Sequence, residues 1–302
     1  IVAFMVFIAV FAPLLTSVDP DAISPLNAYL LPGEDGHLFG TDEFGRDLFA
    51  RILYGARVSM IVAVGGTIVA GIIGILLGLI AGYLGGFVDT VIMRIMDGLL
   101  AFPFVLLSII LMTVLGSGIV NVIIAIGIGN IPSFARVVRG EVHIVKNEEY
   151  CNAGKVIGIS NGRMLFRHIL PNTISPIIVY STLNIAGAII SEAALSFLGL
   201  GIATPMSSWG SILRQGKECL NTAPHVATIS GLFILVTVLG FNLLGDGIRD
   251  VLDPKMKKLI QGNQLENKEE LNYVNTAQQC RKRADRQNRS DAGGSPALQI
   301  HR

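Results

Sequence analysis

Residues 58–82 carry no charged side chain, and this run limits what the chain can fold into more than any other feature. As an α-helix it would reach roughly 37 Å, enough to cross the ~30 Å hydrocarbon core of a bilayer with some tilt. It does not stand alone. Residues 98–115, 119–135 and 225–244 are also uncharged, and 173–200 is broken only by Glu192. The composition has the same origin: 51% of residues are hydrophobic and 15% charged, where a soluble domain carries about 25% charged. Ile1 already lies inside an apolar stretch, residues 1–15, which reads as the outer part of a first spanning helix. The expectation is an all-α integral membrane bundle of six transmembrane helices, the first one truncated. Its parts would be that helix, an extracytoplasmic loop over 16–57, a five-helix core over 58–254, and a polar tail over 255–302.

Charge placement orients the bundle. Arg136, Arg139, Lys146, Lys155, Arg163 and Arg167 gather between two apolar runs, and Arg249, Lys255, Lys257 and Lys258 follow the last one. The loop over 16–57 is instead rich in Asp and Glu. Basic loops stay in the cytoplasm, which puts 136–172 and both termini there. The tail from Gln261 is polar and aperiodic, the signature of a disordered cytoplasmic segment. A net charge of +1 gives no electrostatic case for a nucleic-acid partner.

Three features carry more than hydropathy. Gly66, Ala70, Gly74, Gly78, Gly82 and Gly86 recur every fourth residue, so they line one helix face where another backbone can approach. That face suits a subunit or gate interface, or ordinary packing within this chain. The second feature is the segment 148–172, too polar to span. Tyr150, Ala153, Val156 and Ile157 fall at helical spacing, and Pro171 closes the segment before the next span. A short amphipathic helix of this kind either docks into a groove of another protein or rests on lipid headgroups. The third is Glu192, a carboxylate within a span, which reads as lining a substrate path or as bonding to a neighbouring helix. Arg94 and Asp97, three apart, are expected to pair at the interface.

Several chemistries are absent. Gly210 to Lys217 lacks the spacing of a phosphate-binding loop, the five histidines are scattered, and Cys151, Cys219 and Cys280 form no CxxC pair. No cofactor or metal is therefore expected on this chain.

The segment 148–172 resembles the EAA loop of ABC importer permeases. Asn152-Ala153-Gly154, Gly158 and His168-Ile169-Leu170-Pro171 stand at that loop's spacing, with Asn152, Gly154 and His168 departing from its usual residues. A second block, His37-Leu38-Phe39-Gly40-Thr41-Asp42-Glu43-Phe44-Gly45-Arg46-Asp47 continuing to Tyr54-Gly55-Ala56-Arg57, is similar to one in the C-type subunits of dipeptide/oligopeptide permeases. So are Ala101-Phe102-Pro103, the Glu192-to-Gly201 stretch, Trp209-Gly210 and Arg249-Asp250-Val251-Leu252-Asp253-Pro254. The resemblance implies a type I importer permease bundle that carries peptides, with nickel complexes or glutathione as alternatives in the same family. It implies a second, related permease subunit, two cytoplasmic ATPases that use ATP and Mg, and an external substrate-binding protein. It also implies that Glu149, Tyr150, Asn152, Ala153, Gly154, Gly158, Arg167, Leu170 and Pro171 belong to the loop that couples to the ATPases. A secondary transporter would also be an apolar bundle, but no repeat between the two halves is visible here.

Overall fold

The computed structural model describes residues 1–203 and 205–252; the first 249 form one folded unit. The tail expected over 261–302 lies outside the described residues. Ten α-helices follow one another among those described: α1 Val2–Leu15, α2 Leu48–Leu84, α3 Gly86–Leu100, α4 Phe104–Leu115, α5 Ile119–Val145, α6 Glu149–Val156, α7 Asn161–Met164, α8 Leu170–Phe197, α9 Trp209–Glu218 and α10 Pro224–Leu252. Four helical stretches are long and apolar enough to cross a membrane: α2, α5, Asn161–Phe197 and α10. The pair α3 and α4 would make a fifth, although an 87° bend divides it. The bend falls at residues 101–103, where Pro103 cannot extend the helix before it. The short α1 is apolar as well.

The bundle is apolar on its outside. Ile61, Ile68, Ile72, Leu76 and Ile80 are exposed along α2, as are Leu232, Leu235, Leu239 and Leu243 along α10. Exposed apolar stripes of this length suit hydrocarbon rather than water. The opposite face of α2 holds the glycine stripe, and it packs on α5 of the same chain. A methyl group added at Gly74, Gly78 or Gly82 would meet Phe134, the Ala135 carbonyl with Val138, or Val142, each inside ordinary contact distance. Gly86 faces open space.

Helix α2 begins ten residues before the uncharged run. Asp47 caps it, accepting the Ala50 amide at 2.7 Å, and the first turns contain Arg51 and Arg57. Arg51 is only 1% exposed because loop carboxylates and Gln215 receive its guanidinium. Charge alone therefore marked this helix as loop. Pro171 does not close the segment before α8 either. The helix passes through it from Asn161 to Phe197, widening into a π-turn at Leu165–Ile169. That extra residue per turn relieves the clash between a helical proline ring and the carbonyl four residues back.

Two apolar clusters fill the bundle at opposite ends. One gathers Ala12, Leu48, Ile52, Ile126, Ile189 and Trp209; the other gathers Leu79, Val142, Cys151, Met164, Leu165 and Ile169.

Candidate functional site

The second cluster is where the non-spanning segment joins the bundle. Helix α6 is held by burying Cys151 and Gly154. Gly158, at φ +80°, ends it, and the Ile159 amide returns to the Gly154 carbonyl at 3.0 Å. Ser160 then opens α7, whose Met164 folds its terminal methyl onto Gly154. A side chain at position 154 would occupy that space, which accounts for glycine there.

The residues at the apolar spacing face away from the bundle. Tyr150, Ala153, Val156 and Ile157 point outward, the last two 87% and 77% exposed, and Phe166 further along is exposed as well. Periodicity marked these residues as one face; it did not show that Cys151 and Gly154, between them, are the ones that seat the helix. Glu149, Asn152, Gly158, Arg167 and Pro171 are also exposed, while Leu170 is half-buried. Burial beside the Cys151 thiol pushes the Tyr150 phenol up from its ordinary pKa. The segment is tied to the end of α2 by two polar links. Tyr83 donates its hydroxyl to Asn161 Oδ1 at 2.9 Å, and Lys146 Nζ donates to the Gly82 carbonyl at 2.7 Å. A force on α6 and α7 thus reaches α2 and α8 through packed side chains and direct hydrogen bonds.

Glu192 sits at the other end, fully buried among α2, α8 and α9. Ser59 and Ser196 donate to its two oxygens at 3.0 and 2.7 Å, and the Trp209 amide donates to Ser59 Oγ at 3.2 Å. This geometry is that of a bond between helices, one of the two roles read from its position in a span. Asp97 does meet Arg94, as their spacing suggests, but it has a nearer partner. Arg136 of α5 lies at 2.6 Å and Arg94 at 4.0 Å, so the charge joins two helices as well as one turn.

The loop before α2 is folded on itself. Asp42 receives the Phe44 and Arg46 amides and the Arg46 guanidinium, the last at 2.7 Å. Gly40 and Gly45 have positive φ and touch the Leu30 and Ser24 carbonyls so closely that any side chain would collide. Sequence reasoning marked this block only by resemblance; its glycines are explained by the backbone that crosses them.

Residues 74–258, more than half of the chain, match the family described as binding-protein-dependent transport system inner membrane component. The chain belongs to this family. The match includes the whole exposed segment between α5 and α8. Among relatives of this inner membrane component, the dipeptide transport system permease protein DppC of Alkalihalophilus pseudofirmus is 48% identical over 257 residues, 85% of this chain and 84% of that protein. The glutathione transport system permease protein GsiD of Escherichia coli O6:K15:H31 is 50% identical over 221 residues, 73% of each. In fold, the component is similar to a chain of the inward-facing MetNI methionine ABC transporter. The TM-score is 0.56 at 16% identity, covering 68% of this chain and 96% of that one.

Proposed function

We propose that this chain is a transmembrane permease subunit of an ATP-driven importer of short peptides. It would form half of a translocation pathway with a second, related permease subunit, and it would receive substrate from an external binding protein. In this reading α1, α2, the bent pair α3–α4, α5, α8 and α10 make six crossings, with both termini cytoplasmic in a bacterial inner membrane. The chain itself binds no cofactor; ATP and Mg are used by two partner ATPases.

The observation that carries the coupling role is the outward-facing apolar face of α6. Tyr150, Ala153, Val156 and Ile157 lie outside the spans, and the segment is flanked by bonds to α2 from Lys146 before it and Asn161 after α6. An apolar knob of this kind fits a groove on a partner, and its rigid anchoring turns a partner's movement into helix movement. The chain catalyses nothing; it must contact its partners differently in inward- and outward-open states, since only such differences shift the balance between them. Peptides are the favoured cargo because the DppC relative aligns over most of both chains. Glutathione, itself a tripeptide, is the second reading, favoured by the GsiD relative.

The test is co-purification in mild detergent, with and without residues 148–166 replaced by a Gly/Ser linker. ATPase subunits should leave with the replaced segment. Equal recovery with both forms would refute docking through α6.

A further inference from the structure

A cleft of about 270 Å³ opens between the loop before α2, the end of α8 and α9, at the end of the bundle away from α6. Its size falls just below that of common small-molecule sites, about 300–1,000 Å³. Its walls carry charges of both signs. Glu43 and Glu218 face it as carboxylates, and Arg214 and Gln215 as donors.

These groups are incompletely matched to one another. Asp42, beside Glu43, is taken by Arg46 at 2.7 Å and Arg51 at 3.5 Å. Among the described residues Glu43 has neither an ion pair nor a side-chain hydrogen bond. Lys217, which could neutralise this wall, instead lies over the Phe197 ring at 4.8 Å. Arg214 meets Glu218 only loosely, at 3.9 Å. Its guanidinium rests on Gly199, where a side chain would strike it. Gln215 gives its oxygen to Arg51, which leaves its amide N–H groups as donors. Burial raises the Glu43 carboxyl above its ordinary pKa, and Asp42 and Glu218 push the same way against Arg46 and Arg51.

We propose that this cleft receives the two charged ends of a short free peptide, the ammonium between Glu43 and Glu218 and the carboxylate on Arg214 and Gln215. The proposal rests on the peptide-importer reading, since it gives that cargo a first station on the permease as it leaves the binding protein. A dipeptide suits the volume, and the paired charges suit a zwitterion better than a neutral solute.

The test uses the full chain with its co-purifying subunits in lipid nanodiscs, without any binding protein. Saturation-transfer NMR would compare Ala-Ala, N-acetyl-Ala-Ala and Ala-Ala amide. Ala-Ala should bind, and blocking either end should weaken binding about tenfold, the scale of one charge-assisted hydrogen bond. Glu43→Gln should abolish the preference for a free ammonium, and Arg214→Gln the preference for a free carboxylate. Equal binding of all three probes to the unaltered chain would overturn the proposal without any variant, as would unchanged preferences in both variants. Uptake of labelled Ala-Ala by cells is measured in parallel. Loss of uptake with binding preferences intact would overturn the importer reading, whereas normal uptake without end preference would overturn only the cleft.

Discussion

Gly78→Ala tests the helix seam on which the bundle depends. The added methyl carbon would lie 2.6 Å from the Ala135 carbonyl oxygen and 2.7 Å from Val138 Cβ, where ordinary contact is 3.4–4 Å. Neither neighbour is the far end of a flexible side chain, so α2 and α5 must separate. A gap of 0.5–1 Å forfeits about a quarter to a half of each dispersion contact along the seam. Overpacking of this kind costs about 1–3 kcal/mol. Replacing glycine by alanine inside a helix returns about 1 kcal/mol. Gly140→Ala in α5 is the matched control, because nothing lies within 4 Å of its new methyl. The propensity gain is common to both, so their difference isolates the seam: about 1–3 kcal/mol, with Gly140→Ala the more stable. At about 2–4 °C per kcal/mol for a unit of this size, thermal melting in mild detergent resolves it. Equal melting of the two variants would refute the close approach of α2 and α5.

Arg51→Met leaves Asp42 with Arg46 as its remaining strong partner and should cost about 3 kcal/mol, the low end for a broken buried pair, read as a lower melting temperature. Glu192→Ala removes the acceptor of two serine hydroxyls and leaves a void, for a loss of about 2–4 kcal/mol, whereas Glu192→Gln should cost under about 1.5 kcal/mol and leave the KM for uptake unchanged. A large KM shift in the glutamine variant would return Glu192 to the substrate path. Tyr83→Phe should lower stability by at most about 1 kcal/mol, since the bond to Asn161 is exposed, yet reduce peptide taken up per ATP hydrolysed. An unchanged ratio would mean that this bond carries no force.

Much of this architecture was legible because the bilayer imposes length and polarity on every crossing. The uncharged runs correspond to the cores of α2, α4, α5, α8 and α10, and the four-residue glycine repeat runs along the side of α2 that meets α5. Features missed by the sequence share one cause: a local pattern whose meaning is fixed by distant residues. Arg51 is loop-like until Asp21, Asp42 and Gln215 surround it, so the start of α2 was hidden. Pro171 reads as a helix stop until a π-turn absorbs its ring. The residues that seat α6, Cys151 and Gly154, form no apolar period of their own; Met164 of the next helix completes their cluster. The cleft between Glu43 and Arg214 is assembled from three separate segments, and no spacing within any one of them announces it.

The most direct test of the account is uptake of a labelled dipeptide by cells that depend on this chain, with ATP and the ion gradient controlled separately. ATP depletion with the gradient intact should stop uptake, and collapse of the gradient with ATP maintained should spare it. Uptake that survives ATP depletion while the gradient persists would contradict the importer assignment and point to a secondary transporter.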